Sequence, residues 1–306
     1  MTLVLKRHAL KLGTRSSPLA LVQTELVKAA LLKTMPDLII EVVTFETKGD
    51  VERDASIEDI GGRGVFTDEL DDAVMDGTVD AAVHSVKDLP MKLRTGTLFA
   101  AMLEREDPRE AFVSHIHANL AAVPAGGVFG SASVRRTALL KAIRPDAQFA
   151  LLRGNVGERV ASLPERGLDG TILAVAGLKR LGLQGHIREI LEPEALMPDP
   201  GQAAIGVIAR HNDLATRRIF ARIDHAPTSL AVTAERALLA GTAAHAVCGC
   251  LATITDDIIT LRAVAADDTG AIRARGEISG SPTEAAALGT RLAQTLVQKI
   301  LQERVA

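Results

Sequence analysis

The sequence predicts an α/β protein of more than one domain, closed by a small α+β domain. Three observations carry that expectation. Short apolar runs alternate with amphipathic helical patterns up to about Pro227, as in sheets covered by helices. Charged or proline-rich stretches interrupt the pattern at Glu104-Arg105-Glu106-Asp107-Pro108 and Met197-Pro198-Asp199-Pro200-Gly201, where the chain is expected to cross between lobes. Beyond Pro227 the order becomes one helix, three strands and a final helix.

Ser17 before Pro18 starts the first helix, because a Ser N-cap accepts an orphan N–H and Pro fits the first turn. Leu19, Val22, Leu26 and Ala29 with Ala30 then recur at helical spacing until Pro36. Leu38 to Thr44 is the next strand. A helix from Thr67 to Asp76 ends at Gly77 and delivers the chain into the strand Val79 to Val83, whose exit is His84-Ser85-Val86-Lys87-Asp88-Leu89-Pro90. After the first crossing, strands are expected at Ala111–Val113, Val128–Phe129, Phe149–Leu152 and Thr171–Val175, with helices starting near Ser133, Val156 and Gly177. The second crossing leads into the apolar strand Ala203 to Ala209. Strands at about 247–254, 258–265 and 271–279 follow, with a turn at Asp268-Thr269-Gly270 and a capping box, Ser281-Pro282-Thr283-Glu284, opening the last helix. The expected domains are 1–103 with 203–222, then 108–197, then 226–306.

Composition narrows the function. Hydrophobic residues make up 47% of the 306, enough for more than one core, so disorder is excluded as the main state. The apolar start, Thr2 to Leu5, is broken at once by Lys6 and Arg7, no stretch has the length of a membrane span, and two cysteines make no disulfide framework. A cytoplasmic protein without a membrane partner is expected. With 35 Lys+Arg against 38 Asp+Glu and neither Trp nor Tyr, base stacking and a basic face are both poorly supplied, so no nucleic-acid partner is expected.

The arginines are the most informative feature. Arg15, Arg63, Arg135, Arg136, Arg153 and Arg159 each lie beside glycine or small hydroxyl residues at a strand-to-helix junction. Such junctions lie at the carboxyl ends of strands, where helix N-termini already favour anions. Guanidinium forks there suit a ligand with several carboxylates or phosphates, although scattered surface ion pairs would place arginines similarly. Asp88, at a strand exit beside Lys87, is the best catalytic candidate: a carboxylate there can stabilise a developing cation or pass a proton, or can simply bond its own turn. His84 is expected to be a packed strand-end histidine. His245, Cys248 and Cys250 offer three soft ligands, too few for a closed zinc site, so no metal is expected. The cysteines are either small strand residues or a modified or nucleophilic pair.

These segments resemble, over nearly the whole chain, the porphobilinogen deaminase (hydroxymethylbilane synthase) family. The matching motifs are Gly13-Thr14-Arg15-Ser16-Ser17-Pro18-Leu19-Ala20, Thr47-Lys48-Gly49-Asp50, Gly61-Gly62-Arg63-Gly64-Val65-Phe66 and Val83-His84-Ser85-Val86-Lys87-Asp88-Leu89-Pro90. They continue in Glu104-Arg105-Glu106-Asp107-Pro108-Arg109, Leu152-Arg153-Gly154-Asn155-Val156-Gly157, Leu173 to Gly182, and Val232-Thr233-Ala234-Glu235-Arg236-Ala237. The resemblance implies two periplasmic-binding-protein-like (type II) α/β domains with two crossings plus a small C-terminal α+β domain. It implies a monomeric cytoplasmic enzyme of haem biosynthesis that condenses four porphobilinogen molecules head to tail, releasing ammonia at each step, to give linear hydroxymethylbilane. A dipyrromethane cofactor, held by a thioether to a cysteine of the third domain, primes the chain. By similarity Asp88 is the catalytic carboxylate, and Arg15, Ser17, Lys87, Ser133, Arg135, Arg136, Arg153, Arg159 and Arg180 bind the acetate and propionate groups.

This chain departs from the family at the attachment point. The cysteine position is occupied by Ala246 and the following proline position by Gly249. Ala132 stands where serine is usual, Arg63 where lysine is, and Ala203 where glycine is. Three alternatives remain: attachment through Cys248 two residues along the strand, attachment through Cys250, or a primer without a covalent bond. Cys248 is the preferred expectation, since a two-residue shift keeps the same strand face. The glycines and charges of residues 47–64 suggest a flexible lid. A non-catalytic copy that binds porphobilinogen or tetrapyrroles is the competing expectation.

Overall fold

A computed structural model describes residues 9–51, 62–267 and 269–303. In chain order the elements are β1 (Ala9–Arg15), α1 (Pro18–Thr34), β2 (Ile39–Phe45), α2 (Lys48–Val51), α3 (Asp68–Asp76), β3 (Ala81–Ser85) and β4 (Thr97–Met102). Then come β5 (Glu110–Val113), β6 (Val128–Ser131), α4 (Val134–Ile143), β7 (Gln148–Leu151), α5 (Val156–Glu165), β8 (Gly170–Ala174), α6 (Val175–Arg180) and β9 (Ile187–Leu191). The chain closes with β10 (Ile205–Arg210), α7 (Leu214–Phe220), α8 (Ala226–Thr242), β11 (Val247–Thr255), β12 (Ile258–Ala266), β13 (Ile272–Gly280) and α9 (Ala285–Glu303). The fold is mixed α/β: two five-stranded sheets and a small C-terminal three-stranded sheet domain.

Two compact units result. The first is Met1–Arg105 with Ala204–Ser229, the second Glu106–Ala203 with Leu230–Ala306. The sheet of the first unit has the order β2-β1-β3-β10-β4, with β1 parallel to β2 and β3, and β10 antiparallel to β3 and β4. The sheet of the second repeats the plan as β7-β6-β8-β5-β9, with β6 parallel to β7 and β8, and β5 antiparallel to β8 and β9. In each sheet the strand that runs against its neighbours is the first one after a crossing, β10 after the second and β5 after the first.

Local chemistry explains several boundaries. Ser17 caps α1, its hydroxyl accepting from Ala20 N, and Gly77 ends α3 in the left-handed conformation that glycine adopts without Cβ strain. Asn155 and Glu158 form a reciprocal capping box at α5. The box expected at Ser281 takes a different form: Ser281 accepts from Thr283 N, and residues 282–284 make a 3-10 turn before α9.

The buried face of α1 is not the stripe the spacing suggested. Val27 and Leu31 face the core with Ala20, Gln23 and Thr24, while Leu26 is 42% exposed. Because α1 is apolar nearly all round, periodicity alone does not choose a face. The sheet does, and it accepts Gln23 and Thr24 because both are bonded, Thr24 Oγ1 to Ala20 O and Gln23 Nε2 to Ser85 Oγ. Strands β4 and β9, absent from the sequence-based expectation, are edge strands of the two sheets.

The C-terminal sheet runs β11-β12-β13, all antiparallel. Strand β11 is covered on both faces. Cys248, Cys250 and Ala252 join one apolar cluster with Leu238 and Leu292, while Leu251 joins another with Phe112, Leu139 and Met197. Glu235, fully buried on α8, ties this region together by accepting from Gly201 N at 2.6 Å and Ala252 N at 2.8 Å.

Candidate active site

In the first unit, parallel pairing sets Gly13 of β1 opposite Ala82 of β3, so the two strands end at the same edge of the sheet. Arg15 closes β1 there, and β3 leads through Ser85 into a 3-10 turn, Val86–Asp88, that carries Lys87 and Asp88 at half-buried positions. Leu89 N bonds Val86 O, and Val86 N bonds Ala204 O. These bonds hold the turn that presents Asp88. The Gln23–Ser85 hydrogen bond, 2.8 Å, ties the same exit to α1. Gln23 was not singled out in the sequence, because only the sheet decides that it and Thr24 lie on the buried face of α1.

Arg15 is already partnered. Its Nε donates to Asp50 Oδ2 at 3.1 Å, its Nη2 donates to Oδ1, and its guanidinium lies 4.3 Å from the Phe66 ring centroid. Asp50 also accepts from Thr47 N and Oγ1. Burial works to raise the Asp50 pKa, but Arg15 and Thr47 outweigh it and hold the carboxyl below the usual range. His84 is buried, its Nε2 has no hydrogen-bond partner, and burial followed by the Arg15 charge lowers its pKa to about 4. It is a packed neutral imidazole, as expected. Ser17 is occupied as the α1 cap. Residues 52–61 of the expected lid, and the side chain of Arg63, lie outside the described residues.

In the second unit, Ser133 caps α4 by accepting from Arg136 N. Arg135 and Arg136 turn inward and converge on Glu110, which is fully buried at the start of β5. Arg136 donates to Glu110 Oε1 at 3.1 Å and to Oε2 at 2.9 Å, and Arg135 bonds Oε1 as well. Arg135 Nη1 reaches Met197 O at 2.6 Å, while its Nε, with no hydrogen-bond partner, stands 3.9 Å from Asp199 Oδ2. Glu110 was missed in the sequence, because 25 residues separate it from Arg135 and only the fold brings α4 and the start of β5 together.

Arg153 follows β7 at a half-buried position. Arg159 Nε bonds Gly154 O at 2.7 Å, across a turn in which Gly154 has a φ of 107°. Arg180, at the end of α6, donates to Ala203 O at 2.7 Å, and burial lowers its pKa despite the nearby charge of Glu106. The structure therefore draws Arg135 and Arg136 into one cluster, sets Arg153 and Arg159 at the β7–α5 connection, and places Arg180 at the end of α6.

The residues of the attachment region divide sharply. Ala246 is partly buried at the turn from α8 into β11, its N–H bonding Thr242 O. Cys248 is 5% exposed and Cys250 0% exposed, both within the C-terminal core. Burial pushes the Cys248 thiol up to about 12. Cys248, the preferred attachment residue on the strand-face argument, lies in the core cluster against which Ala246 packs. A Cβ at Gly249 would stand 2.8 Å from Met197 O, so proline, usual at this position, does not fit this backbone. Among the described residues no group of three His, Cys, Asp or Glu is arranged to hold a metal, and no helix is long and apolar enough to cross a membrane.

A sequence profile described as "Porphobilinogen deaminase, dipyromethane cofactor binding domain" matches residues 10–218, ending before Ala246 and both cysteines. Among solved structures, the chain is similar to a double mutant of the BvgS VFT2 domain from Bordetella pertussis, at 14% identity over 71% of this chain and 87% of that one, TM-score 0.44. It is also similar to a nutrient binding protein from Burkholderia cenocepacia bound to methionine, at 13% identity over 70% and 91%, TM-score 0.43. A periplasmic substrate-binding protein of an ABC transporter from Coxiella burnetii gives 15% identity over 74% and 96%, TM-score 0.44.

Proposed function

Because the chain belongs to the porphobilinogen deaminase family, we propose that it acts as a hydroxymethylbilane synthase, joining four porphobilinogen molecules head to tail with release of ammonia at each step. The product is linear hydroxymethylbilane, for tetrapyrrole and haem synthesis. The observation that carries this reading is the position of Asp88, at the exit of a strand whose parallel neighbour ends in Arg15.

The chemistry needs little from the protein beyond charge and position. When the aminomethyl C–N bond of porphobilinogen breaks, the bonding pair leaves with ammonia and the pyrrole becomes a cationic azafulvene. Asp88 accepts the pyrrole N–H and offsets that charge. The free α-carbon of the next pyrrole forms the C–C bond and then loses its proton, which restores the aromatic ring. Arg15, Ser17, Lys87, Ser133, Arg153, Arg159 and Arg180 are the proposed partners of the acetate and propionate groups, matching guanidinium forks to carboxylates. Arg135 and Arg136 remain in that set by family position, and a ligand acid would share them with Glu110. The reading implies a monomeric cytoplasmic enzyme.

One observation favours a second reading. With Ala246 at the attachment position and both cysteines buried, a protein that binds porphobilinogen or linear tetrapyrroles without turnover has a specific basis. Incubation with porphobilinogen separates the two: catalysis yields ammonia and a product that closes to uroporphyrin. Asp88→Asn is expected to keep its affinity for porphobilinogen and to lose ammonia release. Tight binding of porphobilinogen by the unaltered protein, with neither product, would overturn the catalytic reading in favour of the second.

A further inference from the structure

We infer that this chain forms no covalent bond to a pyrrole primer, and that any linear pyrrole chain it holds is bound reversibly through its carboxylates. The inference rests on the reading of the site as a porphobilinogen site. It starts from strand geometry. Side chains two apart in a strand share a face and stand roughly 6–7 Å apart, so Cys248 and Cys250 form one row of β11, and Ala246, just before the strand, packs against the same cluster. Ala246 lies at the rim, partly buried where α8 turns into β11, and the two members of the row lie within the core. The least buried of the three positions therefore carries a methyl group, and both thiols sit deeper.

Nothing about β11 lets those thiols swing out. Cys248 pairs with Ala265 and Cys250 with Ala263 in an unbroken ladder from Val247 to Thr255. Cys250 N bonds Pro198 O at 3.0 Å, its Sγ lies 3.9 Å from Glu235 O on α8, and Ala252 N is held by Glu235 Oε1. The opposite face is closed by Gly249 against Met197. Exposing either sulfur means peeling β11 from β12 and α8, which is unfolding of the C-terminal sheet rather than a side-chain rotation. The raised Cys248 pKa agrees, since the thiolate is the nucleophilic form. The chain also supplies no other cysteine.

The test uses three proteins and two readouts. Folded wild-type protein treated with Ellman's reagent is expected to react at least ~100-fold more slowly than in guanidinium, where both thiols are exposed. Fast reaction of either native thiol would overturn the inference. Intact mass under denaturing conditions, after incubation with porphobilinogen, is expected to equal the bare polypeptide. An added pyrrole mass that disappears in Cys248→Ala would overturn it. Ala246→Cys is expected to react quickly with Ellman's reagent while folded, and to gain a covalent pyrrole adduct. An Ala246→Cys thiol as inert as the native pair would overturn the argument from the rim position. Fast labelling of that variant without any pyrrole adduct would leave the thiol argument standing and defeat the porphobilinogen reading instead.

Discussion

Arg15 and Asp50 form a two-pronged ion pair, with Nε and Nη2 on the two carboxylate oxygens and the guanidinium laid over Phe66. An acid of the chain itself thus occupies an arginine proposed to bind substrate acids, and a ligand must exchange with it. Asp50→Asn removes the competitor while keeping the shape. Affinity for porphobilinogen is expected to rise about fivefold, near 1 kcal/mol, with a stability loss of similar size because the pair is partly buried. Calorimetric titration would show it, and weaker binding by the variant would refute the competition. The pH dependence follows from the lowered Asp50 pKa: the pair's contribution is complete above the ordinary 3.8 and fades as pH falls through the lower folded value.

Glu110 is a fully buried acid shared by the guanidinium groups of Arg135 and Arg136. Replacing it by Gln removes the charge that both buried guanidinium groups share, and is expected to cost about 3–5 kcal/mol, although Arg135 keeps the longer 3.9 Å pair with Asp199. Chemical denaturation should show a large drop in midpoint, partly restored when Arg135 is also replaced by Met. An unchanged midpoint in Glu110→Gln would contradict the geometry.

Asp71, buried on α3, has its pKa raised to about 6, chiefly by burial. The folded protein therefore holds a proton that the unfolded chain releases near 3.8, so stability falls as pH rises from about 4 to about 6 and levels off above. Asp71→Asn should be roughly neutral below pH 4 and more stable by about 1–2 kcal/mol at pH 7, taking about 1.4 kcal/mol per pKa unit and discounting for solvent. Melting curves at pH 4 and pH 7 check it. A variant less stable at pH 7 would reverse the sign.

Ala203 has a φ of 68°, in the left-handed region where a Cβ is crowded. Glycine, usual here in the family, removes that crowding at some cost in unfolded-state entropy. Ala203→Gly is expected to stabilise by about 0.5–1 kcal/mol, read as a higher denaturant midpoint with unchanged slope. A lower midpoint would show that the strain is not felt.

Much of this was legible residue by residue, because caps, turns and short apolar runs act over a few positions. The Ser17 cap, the Gly77 stop, the three C-terminal strands and the place of Arg15 at the end of β1 all follow from neighbours in the chain. So does the substitution at Ala246, which is a matter of spelling alone. Tertiary structure decided what those residues meet. Periodicity put Leu26 on the buried face of α1, but the sheet chose Val27 and Leu31. Alternation put Cys248 on the same face as Ala246, but only α8 and the neighbouring strand determine that Cys248 lies in the core. Likewise Glu110 reaches Arg135 and Arg136 through the fold alone. Local sequence sets backbone direction and side-chain parity over a few residues, whereas burial and charge pairing depend on what distant segments bring to the same place.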